Sequence, residues 1–484
     1  MYLLIDGQRH TTSKEGQIPV HNPATGERLG VVPNASEEDV QEALRAARRG
    51  ARLWAATPIH KRAEAMHRFA ALLEGRRAEI AEIVCKEVGK PLVQAGWEVD
   101  TAVRLFRGFA EQVKHLFGKT MPLDAQQGVE RDLLYTRREP LGVIVAVVPF
   151  NFPIDLYAHK VAPAIAAGNA VIVKPSEETP LSAVMLTEML WEAGVPGNVV
   201  RLVTGYGAQA GQWLTSSPLV NGITLTGSER TGVKVARNGA QHLVRLLLEL
   251  GGNDPLIVFP DADLELAARE AVSGRLVCNG QVCCANKRLL VHRKVFTDFV
   301  DLVLASLKDY HVGNPLQAET RVGPLIHERA AATVEGQIQQ TVAQGARLIQ
   351  GGKRLDRTFV TPAVLLDVTP EMDVARDMEI FGPVFPILPF ETDDEAYEIA
   401  NASRYGLNAA VFTRDVNRAA TAGYRIESGT VVINGASTYR PDVIGFGGFK
   451  MSGLGREGLA SSLEELTQIK NVVIRNALSI PGGL

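Results

Sequence analysis

The chain is short of cysteine, of long apolar runs and of surplus charge, and each shortage closes off a class of function. Its 484 residues hold only four cysteines, Cys85, Cys278, Cys283 and Cys284. That is too few for a disulfide framework, and they lack the paired Cys/His spacing of a metal site. Free thiols in a reducing cytoplasm are expected, and no metal. The longest apolar stretch, "LGVIVAVVPF", is about half of the roughly 20 residues that a membrane-spanning helix needs. The opening "MYLLIDGQRH" has neither the basic segment nor the apolar run of an export signal. A formal net charge of −3 gives no basic footprint for nucleic acid and no polybasic arm for a membrane. A small-molecule partner is expected, with no nucleic acid and no membrane.

What is abundant is apolar sequence, 46% of residues, enough for two or three domains in a chain of this length. Short Val/Ile-rich runs recur at "GVIVAVVPF" (142–150), "NAVIVKPS" (169–176), "NVVRLVTG" (198–205) and "GITLTGS" (222–228), each followed by a segment of helical composition. This alternation predicts an α/β fold with a doubly wound parallel sheet buried on both faces. A second alternating block begins after "LLLELGGNDP", with strands expected at 255–261, 288–295, 384–390, 408–414 and 429–435. Two such blocks imply two domains and a ligand cleft between them. "LLYTRREPLG" (133–142) and "TQIKNVVIRN" (467–476) stand outside the pattern. They read as exposed edges for pairing with another subunit.

The adjacent thiols of "GQVCCANKR" raise the possibility of a nucleophile, although free cysteine more often packs as a small hydrophobe. For a cofactor, "GYGAQAG" only approximates a dinucleotide fingerprint, its last glycine being one residue late. The strand ends are more informative. "VKPSE" supplies Lys174, Ser176 and Glu177, suited to a ribose, and "TGSERTG" supplies Gly227, Ser228 and Gly232 at a helix start, suited to a pyrophosphate. Ser176 and Ser228 would serve equally well as helix caps. Asn151 of "PFNFP" stands where an amide can donate to an oxyanion, or simply in a turn. Glu249 of "LELGGND" follows an apolar run, where partial desolvation raises a carboxyl toward the range of a general base.

The ordered set "PFNFP", "VKPSE", "TGSERTG", "LELGGN", "GQVCCA", "EIFGP" and "GFGGFKMSGLGRE" resembles the NAD(P)-dependent aldehyde dehydrogenase superfamily over nearly the whole chain. The resemblance implies a Rossmann-like cofactor domain (1–118 and 141–251), an α/β catalytic domain (252–445) and a small β oligomerisation arm (119–140 and 465–484). A homodimer or homotetramer is then expected. It also selects Cys283 as nucleophile, Cys284 becoming a packing neighbour, with Glu249, Asn151 and Lys160 as the other catalytic residues. Glu379 would hold the nicotinamide ribose, with Phe381 beside the ring and Leu250 nearby.

On this pattern an aldehyde is oxidised to the acid through a cysteine thiohemiacetal and a thioester. The Glu177 carboxylate favours NAD over NADP, because it accepts from ribose hydroxyls and repels a 2′-phosphate, though NADP is not excluded. Phe152, His159, Arg440 and Phe446 fall at substrate positions of the family, and the polar pair among them favours a small hydroxyaldehyde or semialdehyde. A CoA-acylating relative is disfavoured by Glu249. A glutamyl-phosphate-type reductase shares few of these motifs, and a catalytically silent scaffold is disfavoured by the intact Cys283, Glu249 and Asn151.

Overall fold

The apolar runs fold into strands that are buried on both faces, as their lack of alternation requires. In the computed structural model, which describes residues 1–478, five parallel strands lie side by side in the order Val200–Leu202, Ala170–Lys174, Val143–Val147, Gly222–Thr226 and Arg245–Glu249. The chain enters at Val143–Val147, builds outward for two strands, and then crosses to the other side for the next two. That reversal opens a crevice at the carboxyl ends of Val143–Val147 and Gly222–Thr226, where doubly wound sheets bind their ligands.

Arg245–Glu249 was expected as an apolar run but not as a strand. It is one, and its outer edge is closed by Gly453–Leu454, running antiparallel with Glu249 opposite Gly453. This returns the segment "GGFKMSGLGRE" from the second block to the first sheet, beside Glu249.

The second sheet has seven strands in the order Arg347–Gln350, Ala363–Leu366, Val384–Phe390, Arg288–His292, Pro255–Val258, Asn408–Phe412 and Thr430–Ile433, all parallel except the first. All five strands expected in this block are present. The other two sheet members, Arg347–Gln350 and Ala363–Leu366, were not anticipated.

The outlying segments 133–142 and 467–476 do form strands, and they pair with each other. Leu133–Pro140 runs antiparallel to Thr467–Ile474 over eight residue pairs, with Thr120–Met121 on its other side. The ribbon leaves Ile469 and Val473 more than half exposed. The remainder of the expected arm, 479–484, lies outside the described residues. Among the described residues no helix is long and apolar enough to cross a membrane.

One helix carries two of the expected site residues, His159 and Lys160. Asp155–Ala167 is buried at every position from Leu156 onward, so it sits wholly inside the protein. It ends where Gly168 turns left-handed at φ 97°, a conformation that favours glycine. Its start is fixed by Glu98, whose Oε1 accepts the Ile154 and Asp155 N–H groups at 2.7 and 3.1 Å.

Candidate active site

A cavity of about 460 Å³ occupies the crevice where the first sheet reverses. Each strand end contributes to it: Phe150 and Asn151 after Val143–Val147, Lys174, Ser176 and Glu177 at the end of Ala170–Lys174, Gly207 beyond Val200–Leu202, Gly227 and Ser228 after Gly222–Thr226, and Leu250 after Arg245–Glu249. Cys283, Glu379 and Phe381 reach in from the second block. A larger cavity of about 710 Å³ near Trp97 and Tyr310 contains none of the expected residues.

On the cofactor side, Lys174 Nζ donates to the Pro175 carbonyl at 2.8 Å and to Glu177 Oε2 at 3.2 Å. Burial by itself would raise the Glu177 carboxyl, but the Lys174 ammonium and backbone N–H groups outweigh it and hold the group below the usual carboxylate range. Ser176 accepts the Glu178 N–H at 3.2 Å, and Ser228 caps the helix Glu229–Ala240 through the Thr231 N–H. The capping reading therefore holds for Ser228 but not for Ser176, which closes a loop turn while the helix Leu181–Glu192 starts at Pro180 without a side-chain cap; both serines line the cavity.

Gly232 does not line the cavity. A Cβ there would lie 2.5 Å from Leu250 Cδ2, so the position is a close approach between helix and strand end, and Leu250 is what faces the cavity. Phe381 stands edge-on to Phe150 at 6.1 Å.

The nucleophile candidate follows an unusual turn. Cys278, Asn279 and Gly280 have φ of 47°, 60° and 80°, three consecutive residues in the left-handed region, which is costly for the first two. Side chains hold it in place. Asn279 Nδ2 donates to the carbonyls of Gly89 and Pro324 and its Oδ1 accepts the Gly323 N–H, while Gln94 Oε1 accepts the Cys278 N–H. Asn151 Nδ2 donates to the Gln281 carbonyl at 2.8 Å, which fixes the amide beside Cys283.

The Cys283 thiol is pushed well above its ordinary value by a hydrogen bond with Cys284 and by burial, and pulled back by Lys287 and Arg440. Lys287 is buried, donates to the Cys283 carbonyl and lies 3.0 Å from Glu379 Oε1, whose other contact is the Gly252 N–H at 3.3 Å.

The acids Glu249 and Glu457 do not line the cavity. Glu249 is 2% exposed and neither carboxyl oxygen has a hydrogen-bond partner. Its pKa is driven well above the carboxylate range by burial and by the neighbouring Glu457. The partial desolvation expected from the flanking leucines is in fact complete. A Cβ at Gly447 would come within 2.8 Å of Glu249 Oε1, so the glycine of "GFGGFK" makes room for this carboxyl.

Lys160 is neither on a helix surface nor free beside the thiol. Its Nζ sits 2.6 Å from Glu457 Oε1, and both side chains are sealed from water. Glu457 also receives Arg440 at 2.9 Å, and the Arg440 guanidinium covers the Phe446 ring at 3.9 Å. Phe446 is 1% exposed, with Arg440 over its ring. His159 is buried and kept neutral, its pKa lowered well below the usual value by burial and by Arg440. Phe152 lies under the Lys90 ammonium at 3.7 Å.

The aldehyde dehydrogenase family pattern matches residues 10–472. The chain belongs to the aldehyde dehydrogenase family. Aspartate-semialdehyde dehydrogenase 1 of Pseudomonas canavaninivorans is 40% identical over 464 residues, covering 96% of this chain and 97% of that protein. The lactaldehyde dehydrogenase of Methanococcus vannielii is 36% identical over 464 residues, covering 95% and 97%. Among solved structures, an E. coli NADP-dependent enzyme superposes with a TM-score of 0.95 at 35% identity, covering 98% of each chain.

Within this aldehyde dehydrogenase, Glu457 and Lys287 join the site from positions that the sequence did not single out. Glu457 ends the quoted motif "GFGGFKMSGLGRE" and Lys287 closes "GQVCCANK", but their partners lie 297 and 92 positions away respectively. No local pattern announces such pairs.

Proposed function

We propose that this aldehyde dehydrogenase oxidises a small polar aldehyde, a hydroxyaldehyde or semialdehyde, to its carboxylic acid, with NAD favoured over NADP, in the cytoplasm. The observation that carries the reading is that Cys283 and Asn151 share one cavity with Lys174, Glu177, Ser228 and Glu379. That set suits a dinucleotide: the Glu177 carboxylate for ribose hydroxyls, the capped helix start at Ser228 for a pyrophosphate and Glu379 for the second ribose. When bound there, the nicotinamide supplies a hydride acceptor.

The chain's own residues do the rest. Glu249, in its ionised form, takes the thiol proton directly or through water, and Cys283 attacks the carbonyl carbon. The Asn151 side-chain amide and the Cys283 N–H hold the oxygen that becomes negative. Once the carbon is at the thioester level, Glu249 draws a proton from water, which releases the acid and returns the thiol. Lys160 acts at a distance, keeping Glu457 ionised beside Glu249.

Residues 1–118 and 141–251 form the cofactor domain on this reading, and 252–445 the catalytic domain. The ribbon of 119–140 with the strand after 465 pairs with another copy in a homodimer or homotetramer, its exposed Ile469 and Val473 offering the edge. The cofactor preference is tested by Glu177→Gln. The ratio of kcat/KM for NAD over NADP should fall by roughly tenfold or more, since the substitution removes the charge that repels a 2′-phosphate. An unchanged ratio would remove Glu177 from the cofactor choice.

A further inference from the structure

We propose that Gln94 is a positioning residue for aldehyde oxidation: it holds the turn that precedes Cys283, so that the nucleophile and the Asn151 amide face one carbonyl group. The inference rests on the reading of Cys283 as nucleophile and Asn151 as oxyanion donor, and concerns what sets the gap between them.

Asn151 and Cys283 line the same cavity but come from different blocks of the chain. Asn151 lies in the loop after Val143–Val147, and Cys283 in the stretch before Arg288–His292. The helix Leu92–Gln112 belongs to neither sheet, and it bonds to both loops from one face, because Gln94 and Glu98 are four residues apart.

Glu98 holds the Asn151 side. Besides accepting the Ile154 and Asp155 N–H groups, it meets the Lys90 ammonium at 2.6 Å, and that ammonium lies 3.7 Å from the centre of the Phe152 ring. The segment that follows Asn151 is thus tied to one buried, fully engaged ion pair, which makes it rigid.

Gln94 holds the nucleophile side. Its Oε1 accepts the Cys278 N–H at 2.8 Å. Cys278 Sγ donates to the Asn151 carbonyl at 3.4 Å, and the Cys278 carbonyl accepts both the backbone N–H of Gln281 at 3.0 Å and its side-chain amide at 3.2 Å. Asn151 Nδ2 then donates to the Gln281 carbonyl at 2.8 Å, two residues before Cys283, and the second N–H of that amide remains for the oxyanion. Gln94, Cys278, Gln281 and Asn151 therefore form one hydrogen-bonded chain across the two blocks.

The chain restrains a backbone that would otherwise relax. Cys278 and Asn279 have φ of 47° and 60°, a conformation that persists only where the surroundings enforce it. Asn279 is enforced by its own bonds to Gly89, Pro324 and Gly323, and Cys278 by Gln94. With Cys278 released, Gln281 and Cys283 swing away from Asn151. A displacement of about 1 Å from the productive geometry costs on the order of 10²-fold in rate. Gln94 does not line the cavity, so it acts only through Cys278.

The test measures kcat/KM for lactaldehyde and for succinate semialdehyde, with KM for NAD, in three variants. Gln94→Met and Gln94→Ala lack the acceptor, while Gln94→Glu keeps an oxygen at Oε1. The first two should lose roughly 10- to 100-fold in kcat/KM for the aldehyde with KM for NAD unchanged, and Gln94→Glu should recover most of the loss. Each change is then repeated in an Asn151→Ala background. Without the amide its alignment no longer matters, so Gln94→Met should cost only a few-fold there. Thermal midpoints and NAD binding check that every variant is folded.

An equal loss in both backgrounds would make Gln94 merely structural and overturn the proposal. So would unchanged kcat/KM in Gln94→Met and Gln94→Ala, or a loss that Gln94→Glu does not recover. A wild-type enzyme that oxidises neither aldehyde would instead contradict the aldehyde reading on which the proposal rests.

Discussion

The Lys160 ammonium lies 2.6 Å from Glu457 Oε1 with both side chains closed off from water, and Arg440 meets the other carboxyl oxygen at 2.9 Å. One carboxylate between two cations leaves a net positive charge beside Glu249. Burial would raise Glu457, but Lys160 and Arg440 hold it down at about 2, so it stays ionised while its charge pushes Glu249 up. Glu457→Gln removes that repulsion. The rising limb of kcat with pH, which follows ionisation of Glu249, should move to lower pH. The same change leaves Lys160 and Arg440 without their counter-ion and should cost about 3–5 kcal/mol of stability in chemical denaturation. A limb that stays put or moves to higher pH would detach Glu457 from the base.

Glu87 gives a pH dependence of stability that is independent of catalysis. It is fully buried, accepts the Leu181 N–H at 2.8 Å and the Ser182 N–H at 3.2 Å, and burial raises it from 4.5 to about 7. The folded protein therefore holds this proton more tightly than the unfolded chain. Its contribution is fully present below about pH 4.5 and is lost as pH rises through about 7. The loss is of order 3 kcal/mol for a shift of this size. Denaturant midpoints measured across that window should show the decline, and Glu87→Gln should flatten it.

Lys287 ties Cys283 to the acid expected to hold a ribose. It donates to the Cys283 carbonyl, stands 3.0 Å from Glu379 and is the foremost charge lowering the Cys283 thiol. Lys287→Met should shift the pH profile of Cys283 alkylation by iodoacetamide upward. A displacement of one pH unit slows labelling about tenfold near neutrality. KM for NAD should rise in the same variant, and Lys287→Arg should recover part of both effects. Labelling that keeps its profile would leave Lys287 a purely structural lysine.

Much of this fold could be foreseen because a strand buried on both faces leaves a continuous apolar run, and such runs appear at Val143–Val147, Ala170–Lys174 and Asn408–Phe412. Arg245–Glu249 was harder, since it ends in a glutamate whose burial depends on Gly447, some two hundred residues later. The motifs brought Cys283, Asn151, Lys174, Glu177 and Glu379 to one cavity. They gave no sign that Lys160 would be locked to Glu457, or that Gly232 would pack on Leu250 instead of facing the cavity. Those outcomes depend on tertiary contacts, which composition and spacing do not encode.

The choice between the adjacent thiols is decided by turnover in two variants, Cys283→Ala and Cys284→Ala, with NADH formation followed by absorbance and NAD binding measured alongside. Aldehyde oxidation should vanish in Cys283→Ala with NAD still bound, and should persist in Cys284→Ala. Oxidation that survives in Cys283→Ala, or disappears equally in both, would contradict Cys283 as the nucleophile.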